Sequence, residues 1–323
     1  MVDVKVLASQ SFLKRLKETV KTGNENLGVN SERYNEFRNV FGAENYGFIL
    51  VGDLQKEIRF GIKAPVYLFG EELYPSEVQE RGIDCKLFLP SNFKIKEDTF
   101  SSRMEVEEIL NYLEISRKKG NIGNLVNSKR GTLFEDKISI LELQAQGIRT
   151  PKSFHFLTFG KLRSFVLGVK GRYILKHRFG QQGKQLFRIN GRSIQKYRNL
   201  NIGDFIVQEE LDITDEKRLI FFDGEFLGAR IIYDRHMPWE QKGKAGRKHI
   251  TEKYSPTKEE INQSRRILKH SDILAGCVDW VEVNARGRFY LELNGIGTGW
   301  GKGKHPYNFN KTSAEKLKLK YLN

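Results

Sequence analysis

The sequence predicts a small α/β domain followed by a larger α+β region dominated by antiparallel β-hairpins. In the first third of the 323 residues, short apolar runs rich in β-forming residues alternate with stretches of helical spacing. In the remainder, strand-like runs follow one another across short turns that contain glycine. Alternating strands and helices favour a largely parallel sheet, whereas consecutive hairpins favour antiparallel sheets.

The N-terminal α/β domain is predicted to span residues 1–120. Its predicted strands are Tyr46–Val51, Pro65–Phe69 and Cys85–Leu89, and its predicted helices are Ser31–Phe41, Glu71–Arg81 and Met104–Lys119. Residues 121–130 are polar and interrupted by glycine, so they are predicted to connect this domain to the next region.

The second region is predicted to begin with a helix over Leu133–Gln146 that ends at Gly147, a residue type suited to the position after a helix. Another helix is predicted over Lys258–His270, and the basic tail is predicted to be helical over Ala314–Tyr321. The predicted strands are Ser164–Val169, Tyr173–Leu175, Leu186–Ile189, Phe205–Gln208, Arg218–Phe222, Phe226–Tyr233, Val278–Val283 and Phe289–Leu293. The sequences FDGEF and NARGRF supply two of the hairpin turns.

The composition indicates a soluble protein with anionic partners. Lys and Arg outnumber Asp and Glu by 55 to 40, which gives a formal net charge of +15. This charge favours nucleotides, nucleic acids, acidic peptides or a membrane face, and does not choose among them. The two cysteines, Cys85 and Cys277, form no metal-binding pattern, which argues against a thiolate zinc site. No apolar run has the length of a signal peptide core or a membrane span, so we expect a cytoplasmic protein that does not contact membranes.

A glycine-bearing loop interrupts the stretch Tyr173–Ile189, YILKHRFGQQGKQLFRI. Lys176 ends the incoming strand, and Gly180 and Gly183 lie three residues apart before Lys184. Glycine allows the backbone N–H groups to approach a phosphate closely. Taken alone, the loop fits either an ordinary hairpin turn or a phosphate-binding loop.

Oxygen-bearing side chains mark the last predicted hairpin, GCVDWVEVNARGRFYLELNG. Asp279 lies on the first strand, and Glu292 and Asn294 lie two residues apart on the second, hence on one face of the sheet. Mg²⁺ prefers such ligands together with substrate phosphates. The alternative is a solvated sheet face.

Two weaker signals complete the set. Lys137 stands at the predicted helix start in FEDKISIL, where a lysine is usually a solvated charge. Five acidic residues follow the strand at Phe205 within Glu209–Glu216, either as a surface loop or as groups that contact a ribose. The six histidines show no metal-ligand spacing, and no G-x-S-x-G nucleophile elbow is present.

The order of these features resembles the ATP-grasp superfamily over residues 121–301. A helix-borne lysine, a strand lysine, a glycine loop, an acidic hinge, an arginine strand and an Asp…Glu-x-Asn set follow one another as in that superfamily. The chain is most similar to its small carboxylate–amine ligases, of the RimK-like and glutathione-synthetase-like kind. This resemblance implies an N-terminal domain like the one that precedes the ATP-grasp fold, then lobes over residues 121–205 and 206–323.

The resemblance also implies roles for individual residues. Lys137 and Lys176 look like the two ATP-phosphate lysines, and the loop Gly180, Gln181, Gln182, Gly183 and Lys184 looks like the lid over the phosphates. The hinge Gln208, Glu209, Glu210 and Leu211 is similar to the segment whose backbone binds adenine, with Glu209 and Asp212 near the nucleotide. Asp279, Glu292 and Asn294 match the ligands of Mg²⁺, with two ions expected and Mn²⁺ as a substitute. Arg218 matches the arginine of the D-x-R strand loosely, because Glu216 holds the acidic position.

The chain departs from the superfamily after the arginine strand. The sequence DRHMPWEQKGKAGRKHITEKY contains no Asn where relatives often carry one. The arginine that stabilises the phosphoryl group is therefore either Arg230 or Arg235.

The resemblance implies an ATP-dependent ligase that joins a carboxylate to an amine through an acyl phosphate and releases ADP and phosphate. Residues 236–249 and the tail interleave cations with aromatic residues. This pattern fits either a solvated basic loop or a surface that flanks the acceptor site and binds an acidic peptide or a nucleic acid. Two alternatives stay open. One is an ATP-grasp kinase that phosphorylates a hydroxyl group, and the other is a basic nucleic-acid-binding protein without enzymatic activity.

Overall fold

The computed structural model describes most of the region after residue 124 and shorter segments before it. The described residues are 4–8, 10–22, 35–36, 38–40, 42, 46–50, 66–68, 111, 113–120, 125–134, 136–178, 186–232, 251–295 and 309–322. The predicted strand Cys85–Leu89 and helix Glu71–Arg81 lie outside these residues, as do the loop Gly180–Lys184, Arg235 and the basic loop 236–249.

The N-terminal segments form a four-stranded parallel sheet in the order β2-β1-β3-β4. Its strands are β1 (Val4–Ala8), β2 (Tyr46–Leu50), β3 (Val66–Leu68) and β4 (Leu125–Val126), and helix α1 (Gln10–Thr22) follows β1. The predicted strands that begin at Tyr46 and Pro65 are thereby confirmed, whereas β1 was not predicted. Because β4 lies beyond residue 120, the first sheet takes its last strand from the predicted connection.

The predicted helix Leu133–Gln146 is broken into three pieces. The structure has α2 (Lys129–Leu133), a 3₁₀ turn (Lys137–Ser139) and α3 (Ile140–Ala145). The Asp136 carboxylate caps the 3₁₀ turn by accepting a hydrogen bond from the Ile138 N–H at 3.0 Å, which starts a new helical turn inside the apolar pattern. Gly147 follows α3 with φ +73°, as predicted for the residue after a helix.

The first antiparallel sheet has the strand order β5-β8-β6-β7. Its strands are β5 (Ser153–His155), β6 (Tyr173–His177), β7 (Leu186–Ile189) and β8 (Phe205–Glu209), and helix α4 (Phe159–Gly168) joins β5 to β6. The predicted strand Ser164–Val169 is wrong. Leu162 and Val166, one helical turn apart, are buried together in the core, and Thr158 caps the helix by accepting a hydrogen bond from the Lys161 N–H.

The second antiparallel sheet has the strand order β11-β10-β9-β12-β13. Its strands are β9 (Ile213–Phe222), β10 (Glu225–Ile232), β11 (Thr251–Lys253), β12 (Ala275–Val283) and β13 (Gly287–Gly295). The predicted FDGEF turn is confirmed, since Asp223 and Gly224 have φ of 51° and 72°, the left-handed values of a two-residue hairpin turn. Ala285 and Gly287 have φ of 56° and 73° in the predicted NARGRF turn.

Helix α5 (Lys258–Ser271) covers one face of the second sheet and confirms the predicted helix Lys258–His270. It begins with a capping box in which Thr257 and Glu260 satisfy each other's backbone N–H groups. The buried Trp280 packs in the core beneath it and donates from Nε1 to Ser264 Oγ at 2.8 Å. The C-terminal helix α6 (Phe309–Leu322) extends beyond the predicted Ala314–Tyr321.

One hydrophobic core joins the two antiparallel sheets. Ile206 of β8 and Ile140 and Leu143 of α3 belong to the same buried cluster as Leu219 and Val278 of the second sheet. This shared core fixes the first sheet against the second, so that β6 and β8 face β13. In the described part of the chain, no helix has the length and hydropathy that crossing a bilayer requires.

Candidate active site

A row of four charged side chains crosses the second sheet on one face. The strand register pairs Arg230 with Arg218, Arg218 with Asp279, and Asp279 with Glu292 across β10, β9, β12 and β13. Directly paired residues project from the same face of a sheet, so the row is fixed by strand pairing rather than by flexible loops. All four residues were predicted as site residues on four separate strands, and the register makes them neighbours.

Arg218 and Asp279 form a buried bidentate ion pair at the centre of the row. Arg218 Nε donates to Asp279 Oδ1 at 2.6 Å, and Nη2 donates to Oδ2 at 2.5 Å. Asp279 is fully buried, and Arg218 is 8% exposed. Asn294 Nδ2 donates to Asp279 Oδ2 at 3.0 Å and lies 3.5 Å from Glu292 Oε1. Asn294 therefore contacts both of the other predicted metal ligands.

The burial of this cluster perturbs its ionisation. Burial raises the pKa of Asp279 to about 6, although the Arg218 guanidinium acts in the opposite direction. Burial and the adjacent Arg218 charge lower the pKa of Arg230 to about 10. Two guanidinium groups are thus held side by side at an electrostatic cost, and an anion placed next to them would relieve that cost.

The donor set at the end of the row fits Mg²⁺. Among the residues that the structure describes, no three His, Cys, Asp or Glu side chains form a group that could hold a metal. Asp279, Glu292 and Asn294 offer only carboxylate and amide oxygens as ligands. Mg²⁺ commonly takes one or two carboxylates and completes its octahedron with phosphate oxygens and water, so this set is sufficient.

Lys176 is fixed by a chain of hydrogen bonds across the first sheet. Its side chain is 9% exposed, and Nζ donates to Gln208 Oε1 at 2.9 Å. Gln208 Nε2 in turn donates to Ser153 Oγ at 3.2 Å, and Ser153 Oγ donates to the Pro151 carbonyl at 2.8 Å. The chain holds a buried ammonium group at a defined position on β6.

Lys137 is held at the first turn after the break in the predicted helix. Its backbone N–H and its Nζ lie 3.2 Å and 3.4 Å from the Arg178 carbonyl oxygen. Arg178 Nε and Nη2 donate to the fully buried Asp136 carboxylate at 3.1 Å and 2.5 Å. Sequence reasoning missed Asp136 and Arg178, and the only signal was the acidic residue before the lysine.

A crevice between the two antiparallel sheets brings the two lysines to the metal-type ligands. Its polar lining includes Lys137, Lys176, Gln208, Glu292 and Asn294. Its apolar lining includes Phe134, Ile140, Ile206, Tyr290, Leu291 and Leu293. Side chains from residues 137 to 294 of the sequence thus meet in one place, with cations at one wall and oxygen ligands at the other. Arg218 and Asp279 adjoin the crevice through Glu292 and Asn294.

The predicted hinge divides between two sides of β8. Gln208 points into the crevice, whereas the Glu209 carboxylate accepts a 2.6 Å hydrogen bond from Arg286 on the other side. Asp212 pairs with Arg172 at 2.6 Å, and Glu210 pairs with Arg188. Leu211 packs against Val281, Val283 and Phe289. The acidic hinge side chains therefore do not line the crevice.

Comparison with known proteins rests on structure. No protein-family model and no curated protein matches the sequence. The ATP-grasp ligase PsnB, complexed with a phosphomimetic variant of its minimal precursor, Mg and ADP, superposes with a TM-score of 0.63 at 16% identity, over 99% of both chains. The D-cycloserine synthetase DcsG gives a TM-score of 0.62 at 14% identity, over 98% of this chain and 99% of DcsG.

A third solved structure is the macrocyclase MdnC bound with its precursor peptide MdnA, from Microcystis aeruginosa. It gives a TM-score of 0.57 at 11% identity, over 98% of this chain and 99% of MdnC. These likenesses extend over nearly the whole chain, including both antiparallel sheets and the crevice between them. The chain therefore has the ATP-grasp fold, which confirms its resemblance to the ATP-grasp superfamily.

Proposed function

We propose that the chain is an ATP-dependent carboxylate–amine ligase that forms an amide bond through an acyl phosphate. The observation that carries this proposal is the meeting of Lys137 and Lys176 with Glu292 and Asn294 in one crevice. Cations opposite oxygen ligands are what a Mg²⁺-bound polyphosphate requires, because each neutralises a different part of it. The ATP-grasp fold supports the same conclusion.

In this proposal the crevice holds the nucleotide. Ile140, Ile206, Leu291 and Leu293 provide an apolar surface for the adenine ring, and the backbone of Gln208–Leu211 supplies its hydrogen bonds. Lys137 and Lys176 hold phosphate oxygens. The loop Gly180–Lys184 closes over the β- and γ-phosphates with its backbone N–H groups and shields the acyl phosphate from water.

Asp279, Glu292 and Asn294 are proposed to hold Mg²⁺ as two ions, with Mn²⁺ able to replace them. Bound Mg²⁺ would neutralise charge on the phosphoryl oxygens as the bond to the leaving ADP breaks. Arg218 keeps the Asp279 carboxylate in place, and Arg230 or Arg235 faces the transferred phosphoryl group. Arg230 is favoured because the register sets it beside Arg218.

The proposed reaction requires no protein nucleophile. A substrate carboxylate oxygen attacks the γ-phosphorus, and ADP leaves. The amine nitrogen then attacks the acyl carbon, the carbon–oxygen bond to phosphate breaks, and the nitrogen loses a proton. Phosphate departs with the oxygen that came from the carboxylate. The reaction requires that two substrates be positioned and that charge be stabilised, and the crevice provides charged groups for the second task.

For the substrate, we propose a peptide. PsnB and MdnC are each described with a precursor peptide, and the net charge of +15 favours an acidic one. A kinase on the same fold is the second candidate, because the same groups serve phosphoryl transfer to a hydroxyl. The nucleic-acid hypothesis gains no support from these solved structures, whose described partners are peptides and nucleotides.

A phosphate-release screen tests the proposal. The chain is incubated with Mg·ATP and with amino acids and acidic peptides, singly and in pairs, and products are identified by mass spectrometry. A ligase releases phosphate only when a carboxylate and an amine are both present, and its product is lighter than the two substrates by one water. A product heavier than one substrate by a phosphoryl group would instead establish the kinase.

A further inference from the structure

A second pocket lies on the side of β8 opposite the crevice. It is a cavity of about 550 Å³ lined by residues of β8, of the loop before β6 and of the β12–β13 turn. No residue of its described lining also lines the crevice. Its volume falls in the range of pockets that hold small ligands or short peptide segments. The ATP-grasp resemblance puts Glu209 and Asp212 near the nucleotide, but their side chains line this pocket and not the crevice, and the proposed reaction gives the pocket no role.

The carboxylates of this pocket are already neutralised. Glu209 accepts hydrogen bonds from Arg286 at 2.6 Å and 3.4 Å, and Asp212 accepts two from Arg172 at 2.6 Å. Glu210 accepts hydrogen bonds from Arg188 at 2.8 Å and 2.6 Å. Burial raises the pKa of Glu209, but Arg286 and Lys152 outweigh it, so the net pKa is lowered and Glu209 stays ionised.

Two lysines give the pocket positive charge that its own carboxylates do not neutralise. Lys152 and Lys170 line the pocket and are exposed. Within the part of the chain that the structure describes, neither ammonium group has a carboxylate at ion-pair distance, whereas the neighbouring arginines do. The pocket therefore combines three neutralised carboxylates with two ammonium groups that have no acidic counterpart.

We propose that this pocket binds a carboxylate of an acidic peptide between Lys152 and Lys170. A singly charged carboxylate matches two ammonium groups, while Glu209, Glu210 and Asp212 are each paired with an arginine and do not oppose a bound anion. Their outer oxygens can also accept hydrogen bonds from peptide N–H groups that flank the bound carboxylate. Binding at this pocket requires no ATP, so it stands or falls independently of the proposed reaction.

Titration calorimetry with a tetraglutamate peptide and no nucleotide tests the proposal. We expect saturable binding at one site, and we expect the double variant Lys152→Gln/Lys170→Gln to lose about tenfold or more in affinity, since two charge-assisted contacts disappear. The matched control is Lys161→Gln/Lys269→Gln, which removes the same charge from exposed positions on α4 and α5 and should bind as the unmodified chain does. Circular dichroism verifies that both variants are folded.

Three results would overturn the proposal. The first is the absence of saturable tetraglutamate binding. The second is an equal affinity of the two double variants, which would assign the binding to net charge or to another basic segment. The third is tighter binding of inorganic phosphate or free glutamate than of the peptide under the same conditions, since the pocket is inferred to recognise a carboxylate together with peptide groups.

Discussion

Replacing Arg218 with methionine is expected to lower the free energy of unfolding by about 3–5 kcal/mol, the cost of leaving one partner of a buried ion pair unpaired. Arg218 provides two of the hydrogen bonds to the Asp279 carboxylate, which is fully buried. Of the three hydrogen bonds to Asp279 described above, the variant Arg218→Met keeps only the one that Asn294 donates. Urea denaturation of the variant and the unmodified chain measures the difference.

The matched control replaces both residues of the buried ion pair, Arg218 and Asp279. Arg218→Met/Asp279→Leu should recover most of the lost stability, because an apolar pair of similar volume replaces a buried ion pair at little net cost. The double variant should nevertheless stay inactive, since it lacks a proposed metal ligand. A single variant as stable as the unmodified chain, or a double variant no more stable than the single one, would contradict the structural role given to this pair.

Replacing Lys176 with methionine is expected to lower ATP turnover by about 100-fold or more, the usual effect of removing one group that stabilises developing charge. Methionine preserves the length and packing of the chain, so the variant loses mainly the ammonium group. The effect on stability should be small, about 1 kcal/mol, because the Gln208 oxygen loses one donor. Phosphate release at saturating Mg·ATP measures turnover, and urea denaturation measures stability.

The control for this prediction is Lys161→Met. Lys161 is exposed on α4 and lies outside the described lining of both the crevice and the second pocket. Its replacement should leave turnover and stability unchanged. Turnover by Lys176→Met close to that of Lys161→Met would show that the buried lysine of β6 serves structure alone.

Features set by neighbouring residues were predictable from the sequence. The turn at Asp223 and Gly224 needs left-handed backbone at both positions, which is what Asp-Gly between two apolar runs indicates. The start of α5 at Thr257 carries its own capping signal in Glu260. Both elements form from contacts within a few residues, so the local sequence contains the information.

Features set by distant residues were not predictable. Where the helix expected over Leu133–Gln146 breaks, Asp136 caps a new 3₁₀ turn and also pairs with Arg178, 42 residues away. Helix α4 ends in FVLG and is followed by Val169, and this mostly apolar run predicts a strand until its packing against the first sheet is known. Strand β5 is only three residues long, and pairing with β8 fixes it.

The candidate site was predicted as a set of residues but not as an arrangement. The row from Arg230 to Glu292 depends on the register between β9 and β12, which are 61 residues apart at the Arg218–Asp279 pair. The division of the hinge illustrates the same limit. Side chains alternate along β8, so Gln208 and Glu209 necessarily face opposite ways, but which of them faces the crevice follows only from how the two sheets pack.

Transfer of an oxygen isotope tests the central claim, that the crevice uses ATP to activate a carboxylate. The carboxylate substrate found by the phosphate-release screen is prepared with both oxygens as ¹⁸O, and the released phosphate is analysed by mass spectrometry. The account predicts one ¹⁸O in each phosphate, because the attacking carboxylate oxygen stays on phosphorus when the amine displaces it. Phosphate without the label, with all of the ¹⁸O retained in the product or in unreacted substrate, would contradict it.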